Sequence, residues 1–288
     1  MRYTIITNPA SGKMNADQKR SVLAEAAKIL DAGIYGMDTT TVGEFRQCAH
    51  EVAHHCDVIV VAGGDGTLSD IINSVDTARI PLAYLPLGTG NAMKHALRYK
   101  GSIGDIARRI KNGKIHEYDL INCDDRVRAF TVSVGIEGEV IRLRNQYVLR
   151  GDVGLKAYVK AIVNSYFKKY KRVDARIIID GSLVRMRNIL SLMVVKHPYY
   201  GFGMEVVPKA RFDDRKLHLV CTNSGLFGAV ISAVSAFTVG NRAGQYCAGL
   251  QIDVSLDRVL TMQYNGNEGW KSKRFNFKVL PKALKIKC

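Results

Sequence analysis

No apolar run in this sequence is long enough to span a bilayer, and no apolar signal segment follows Met1-Arg2, so the chain is expected to stay in the cytoplasm. Cys48, Cys56, Cys123, Cys221, Cys247 and Cys288 stand without C-x-x-C spacing, which argues against a disulfide framework and a structural zinc and leaves core thiols as the simplest account. Neither the G-x-x-x-x-G-K-[ST] phosphate loop nor the G-x-G-x-x-G dinucleotide fingerprint occurs. Internal repeats and low-complexity linkers are missing as well. His50-Glu51-Val52-Ala53-His54 satisfies H-E-x-x-H, but a helix there must end by Asp57, and the next glutamate, Glu117, is too remote to be the usual third ligand. Acid is the scarce charge: 26 Asp and Glu against 42 Lys and Arg leave a formal net charge of +16, which calls for an acidic partner. Without an RNP, zinc-finger or helix-turn-helix signature, nucleic acid is not expected to be that partner.

What the sequence does contain is a β-branched run, Val58-Ile59-Val60-Val61-Ala62, that stops in Gly63-Gly64-Asp65-Gly66-Thr67-Leu68. A buried strand feeding a glycine turn and then a helix from Leu68 to Val75 would gather the N–H groups of Gly64, Gly66 and Thr67 at a positive helix terminus, which favours an anion. Asp65 beside that turn reads either as a carboxylate serving a metal–phosphate unit or as a cap for the same helix. Two further strands end in turns of this character: Tyr3 to Thr7 into Asn8-Pro9-Ala10-Ser11-Gly12-Lys13, and Pro81 to Leu85 into Pro86-Leu87-Gly88-Thr89-Gly90-Asn91. An open parallel sheet collects its ligand at such strand carboxyl ends.

Asn8-Pro9-x-Ser11-Gly12-Lys13, Gly63-Gly64-Asp65-Gly66-Thr67 and Pro86-x-Gly88-Thr89-x-Asn91, in that order, resemble the diacylglycerol/sphingosine-type lipid kinases. Gly-Gly-Asp-Gly-Thr alone is shared with NAD kinases. Further matches are Phe130…Gly135-x-x-Gly138, Gly201-x-Gly203-Met204…Pro208-x-Ala210…Asp213-Asp214 and Val279-Leu280-Pro281-x-Ala283-Leu284, so the resemblance covers nearly the whole chain. It implies ATP and Mg²⁺, with Asn8, Pro9, Ala10, Ser11, Gly12, Thr39, Gly63, Gly64, Asp65, Gly66, Thr67, Leu68, Ser69, Asp70, Gly88, Thr89 and Asn91 at the nucleotide and Asp65 catalytic.

The sequence departs from this pattern in two places. Such kinases carry Asp-Gly-Glu on a late strand, the Glu acting as base, whereas this chain has Asn265-Gly266-Asn267-Glu268. Matching on the glycine puts the amide of Asn267 at the base, and a one-residue shift, ascribed to an insertion in the turn, supplies Glu268. Family members that hold a structural Mg²⁺ near Asp-Asp-Gly use the second Asp and two carbonyls, which correspond to Asp214, Arg211 and Lys216. Arg215 stands where the Gly is expected, at a steric cost if that position needs φ > 0.

Strand and helix alternate at 3–7, 15–31, 43–55, 57–62, 68–75, 81–85, 91–98 and 103–111, which predicts an α/β domain over 1–120. From Ile115 onward, alternating runs at 129–134, 175–179, 190–195, 217–221, 251–254, 260–264 and 275–279 predict a mostly β sandwich over 121–288 for the lipid, with the extreme C-terminus a segment that the resemblance lets return to the first domain. The apolar stretch 226–239 is too short to cross a membrane and reads as a helix packed on the sandwich or lining a lipid-accessible groove.

Between Arg142 and Arg176 the cations are concentrated, and Leu155, Tyr158, Val159, Ile162, Val163, Tyr166, Phe167 and Tyr170 recur at helical spacing. This basic amphipathic stretch suits an anionic membrane surface or, equally, a core-packed helix with a solvated back. The expected protein is an ATP-dependent lipid kinase, cytoplasmic and peripherally membrane-associated. An NAD kinase-like phosphotransferase and an inactive lipid- or nucleotide-binding protein remain as alternatives, and a homodimer is compatible with the sequence.

Overall fold

The computed structural model describes every residue except Ala10, Ser11, Lys13 and Val153, and leaves the burial of Gly154 and the side chains of Leu155 and Leu226 undescribed. The chain divides into two compact units. One comprises Met1–Leu120, Tyr199–Gly203 and Pro281–Cys288, and the other Ile121–Pro198 and Met204–Leu280.

The first unit runs β1 (Tyr3–Thr7), α1 (Ala16–Leu30), β2 (Gly33–Tyr35), α2 (Val42–Ala53), β3 (Val58–Gly63), α3 (Asp65–Ile72), β4 (Leu82–Pro86), α4 (Ala92–Ala96), α5 (Ile103–Asn112) and most of β5 (Ile115–Cys123). Near-continuous apolar runs suit strands buried on both faces of a parallel sheet, and β1 and β3 are buried at every residue. All neighbours are parallel, in the order β2-β1-β3-β4, and Ile286 adds the chain's last segment beside Leu82. The register pairs Thr7 with Ala62 and Gly63 with Pro86, so the three glycine turns leave the same edge.

The flanking helices begin where side chains satisfy their first N–H groups: a reciprocal Asn15–Gln18 box opens α1, Thr41 accepts from the Glu44 N–H at α2, and a Ser102–Asp105 box opens α5. Helix α3 starts at Asp65, three residues before the expected Leu68. Gly64 is its cap residue and accepts the Leu68 N–H at 3.0 Å, so the apolar periodicity that begins at Leu68 marks the first closed hydrogen bond rather than the helix start.

The second unit contains β6 (Val127–Ala129), β7 (Thr131–Gly135), α6 (Ile136–Leu149), α7 (Gly154–Asn164) with a π-helical turn at Ser165–Lys169, β8 (Val173–Ile179), β9 (Ser182–Ile189), β10 (Ser191–Val195), β11 (Leu217–Thr222), α8 (Leu226–Thr238), β12 (Gln245–Gly249), β13 (Gln251–Tyr264) and β14 (Asn267–Lys287), whose end belongs to the first unit. Antiparallel pairing gives β12-β11-β10-β7-β13-β14, with β8 on β13 and β9 on β8. Inward residues of these strands, among them Val134, Leu192, Leu219, Ile252, Val254 and Phe277, make one apolar cluster, the core of a β-rich sandwich.

The runs at 251–254 and 260–264 are one strand, because a register shift between Ser255 and Leu260 interrupts the alternation. β14 extends far beyond 275–279. β9 was not foreseen, being exposed at most positions and therefore without an apolar alternation. The basic stretch is broken after Leu149 into α6 and α7. Among the described residues no helix is long and apolar enough to cross a membrane.

Candidate active site

In the first unit, three turns are locked together by close backbone approach. A Cβ on Gly88 would stand 2.4 Å from the Gly64 Cα, one on Gly63 would strike the Thr67 side chain at 2.6 Å, and one on Gly12 (φ +76) would come within 3.2 Å of the Leu87 carbonyl. Glycine at 88 is thus required by the packing of one turn on another, and at 63 by the Thr67 side chain of its own turn, reasons distinct from the room for a polyphosphate that the sequence suggests. The Gly201-x-Gly203 motif belongs to the same assembly: the Phe202 N–H donates to the Gly90 carbonyl at 2.7 Å, and Gly203 (φ +78) passes over the His95 ring.

Asp65 is the centre of this arrangement. Its carboxylate accepts the Ala92 N–H (2.9 Å) and the Met93 N–H (3.1 Å), so it caps α4. Burial pushes its carboxyl up, against the lowering effect of those N–H bonds. Asn91, in the left-handed region at φ 45, donates to the Gly88 carbonyl (2.7 Å) and accepts from the buried Tyr84 hydroxyl (3.0 Å), which fixes the third turn.

Thr39 donates to the Gly36 carbonyl at 2.7 Å. Asp70, on the third helix, takes a 2.8 Å ion pair from Arg46. Thr67, Leu68 and Ser69 are buried and serve the packing of that helix. Of the first loop, Ala10 and Ser11 lie outside the described residues. A residue missed by sequence reasoning holds the loop: Lys19, 1 % exposed, donates from Nζ to the carbonyls of Asn8 and Pro9, each at 2.7 Å. Its signal was present, since a lysine stands on the stripe with Leu23, Ala26 and Leu30 that α1 buries.

The second unit carries the base candidates on the β13–β14 hairpin. Tyr264 pairs with Asn267 and Gln263 with Glu268, so Asn265 (φ 48) and Gly266 (φ 81) form a two-residue turn of the kind Asn-Gly favours. That turn holds no inserted residue. The extra residue lies in β14, because Thr261 pairs with Lys271 while Gln263 pairs with Glu268, which places a bulge after Glu268. Buried Asn265 accepts the N–H groups of Phe130 (2.9 Å) and Thr131 (3.1 Å) through Oδ1, and Glu268 is exposed, with the Asn145 amide 3.3 Å from its Oε2.

At the expected metal loop Arg215 sits at φ 58, in the left-handed region that costs a side chain more than it costs Gly. Asp214, however, is already engaged: Lys196 Nζ lies 3.1 Å from Oδ1 and also donates to the Lys216 carbonyl. Burial raises the Asp214 carboxyl, but Lys196, the Lys216 N–H and His218 outweigh it and hold the group below its ordinary value.

Residues 2–123 match the diacylglycerol kinase catalytic domain family, and residues 130–288 match the YegS C-terminal NAD kinase beta sandwich-like domain family. Proteins named diacylglycerol kinase from Staphylococcus aureus and Staphylococcus saprophyticus are each 28% identical to it, over 228 and 227 residues; both alignments cover 76% of this chain, and they cover 70% and 72% of the relatives. A solved diacylglycerol kinase structure from Bacillus anthracis superposes with TM-score 0.75 at 16% identity, covering 99% of this chain and 96% of the other. An Archaeoglobus fulgidus NAD kinase in complex with ATP gives 0.55 at 14% identity, covering 100% and 94%. With both halves of the chain matched and the same two-part fold, the chain belongs to the diacylglycerol kinase-type lipid kinase family of the NAD kinase-like superfamily.

Proposed function

We propose that this chain is an ATP-dependent kinase that phosphorylates a lipid hydroxyl, on a diacylglycerol-like or long-chain amino-alcohol acceptor, at the surface of an anionic membrane. The observation that carries the reading is the packing of Gly12, Gly64 and Gly88 at the carboxyl ends of three parallel strands, next to the N-terminus of α3. N–H groups in the first turn of a helix have no partner within the helix and suit the phosphates of a nucleotide. Mg²⁺ enters with the nucleotide and neutralises phosphate charge, and Asp65 is the carboxylate that would face it.

Glu268 is the proposed base. Its carboxylate takes the proton of the lipid hydroxyl as that oxygen bonds to the γ-phosphorus and the bond to the ADP oxygen breaks. The glutamate is exposed, with the Asn145 amide 3.3 Å from Oε2 and the Arg142 charge near it, and an exposed carboxylate keeps an acceptor oxygen for a substrate. Asn265 does not argue for a lost activity, because accepting two backbone N–H groups is work that an amide oxygen does as well as a carboxylate.

Exposure supports the membrane. Val159, Ile162, Val163 and Phe167 are 49–64 % exposed along one side of α7 and its π-helical turn, beside Lys156, Lys160, Lys168 and Lys169. α8 has no charged residue and exposes Phe227, Val230, Ile231, Val234 and Phe237. Arg172 donates to the carbonyls of Asn223 and Ser224, which ties the end of the basic stretch to the start of α8. Apolar side chains with basic neighbours fit a lipid interface better than a buried core.

The test is transfer of labelled γ-phosphate from ATP to a total lipid extract, with NAD as a parallel acceptor. Label in a lipid is expected. Label in NAD alone, or ATP binding without transfer to any lipid, would replace this reading with one of its alternatives.

A further inference from the structure

Lys196 follows β10 directly, and its side chain is fully buried. Its ammonium contacts Asp214 Oδ1 at 3.1 Å and the Lys216 carbonyl. These are two of the three ligands that the family pattern assigns to a structural Mg²⁺. Asp214 Oδ1 also accepts the Lys216 N–H at 3.1 Å, and Oδ2 faces His218 Nε2 at 3.0 Å. The neutral His218 tautomer with hydrogen on Nε2 satisfies Oδ2 and leaves Nδ1 to accept from the Tyr246 hydroxyl at 2.9 Å. The Arg211 N–H also approaches Nε2, at 3.2 Å, and this tautomer leaves that contact without a lone pair. We assign the Nε2–H form because a ring nitrogen without hydrogen would set two acceptors against each other at 3.0 Å.

A divalent cation does not fit this set. Mg²⁺ needs oxygens at about 2.0–2.1 Å in near-octahedral array, whereas Asp214 Oδ1 is set at hydrogen-bond distance around an ammonium. Adding it would also bring two charges against a buried lysine whose single charge already balances Asp214.

We propose that the Lys196 ammonium is a built-in cation that stands in place of the structural Mg²⁺, so that the loop from Arg211 to His218 holds its fold without divalent metal. The left-handed Arg215 at the bend agrees with this, since it takes a conformation that Gly favours while the cation comes from the chain. The proposal concerns the second unit and is read without nucleotide, so it stands or falls separately from the phosphoryl-transfer reading.

The experiment is thermal unfolding of the nucleotide-free natural chain after EDTA treatment, with and without added Mg²⁺ or Ca²⁺. Equal midpoints are expected, and a midpoint that drops in EDTA and returns with metal overturns the proposal. Lys196→Met supplies the converse, because it leaves Asp214 without its ammonium. Its midpoint is expected to fall by on the order of 10 °C and to recover in part on adding Mg²⁺ or Ca²⁺. A folded Lys196→Met protein indifferent to both metals would show that the ammonium does not occupy a cation's place. If that variant fails to fold in either condition, the EDTA comparison on the natural chain decides alone.

Discussion

The glycine turns of the first unit and the α7 and α8 surfaces and hairpin of the second are built on opposite principles. In the turns the Asp65 carboxylate is partly buried and both its oxygens accept N–H groups, and a methyl group at Gly88 has no room. In the second unit Glu268 is exposed, near the Asn145 amide and the Arg142 charge, and α7 and α8 show aliphatic and aromatic side chains to solvent. A ligand of fixed shape, such as a polyphosphate, rewards backbone held in advance, because little ordering entropy remains to be lost on binding. A lipid surface of variable composition rewards exposed apolar area and mobile charge.

This contrast predicts that the two regions fail differently. The largest effect on binding is expected at the membrane. Replacing Lys168, Lys169 and Lys171 together by Gln should weaken binding to anionic vesicles about 10²-fold, at ~1 kcal/mol per charge, and leave ATP affinity unchanged. Arg172 is left intact because it anchors residues 223–224. Sedimentation with anionic and neutral vesicles at two salt concentrations checks this, and binding that ignores both charge and salt would make the stretch a purely structural element.

Next comes a buried group in the second unit. Glu137 Oε1 accepts from the Ser191 hydroxyl, and burial pushes its carboxyl up to about 7 from 4.5. Across that window the folded chain keeps a proton that the unfolded chain has lost, so this group's contribution to stability falls as pH rises from 4.5 to 7 and is lowest above it. Glu137→Gln should therefore raise stability at neutral pH by up to about 3 kcal/mol and flatten the pH dependence. Denaturant unfolding at both ends of the window measures it, and equal slopes for the two proteins would contradict the assignment.

Two glycine substitutions sharpen the comparison itself. Gly88→Ala forces a methyl group onto Gly64 and should cost roughly 1–3 kcal/mol and weaken ATP binding. Gly266→Ala, at φ +81 with nothing within 4 Å, should cost only about 1 kcal/mol of backbone strain and leave nucleotide affinity alone. Calorimetric ATP titration of both separates a packed turn from a merely bent one. The smallest effect belongs to Asn145→Ala, which removes one long contact to Glu268 and should lower kcat less than tenfold.

Local chemistry was legible in the sequence, and partnership was not. The run from Val58 to Ala62 and the glycines after it announce a buried strand and a turn because both signals lie within a dozen residues. Asp65 announces a carboxylate, but its partners Ala92 and Met93 lie 27 and 28 residues on, and only the register of β3 on β4 brings them together. The bulge after Glu268 was not readable, since a bulge exists only relative to the strand opposite, and it leaves Glu268 as the second residue after the Asn265-Gly266 turn. Lys196 follows an apolar strand with no local mark of its role, because its two acceptors, on Asp214 and Lys216, come from beyond the next turn.

The most direct measurement is labelled phosphate transfer to the lipid acceptor by the natural chain, by Glu268→Gln and by the double variant Asn265→Asp with Asn267→Glu. If Glu268 is the base, Glu268→Gln lowers kcat by about 10²–10⁴-fold with ATP affinity intact, and the double variant gains nothing. If the natural chain transfers no phosphate to any lipid and the double variant does, Glu268 is not the base and the natural protein is a binding module.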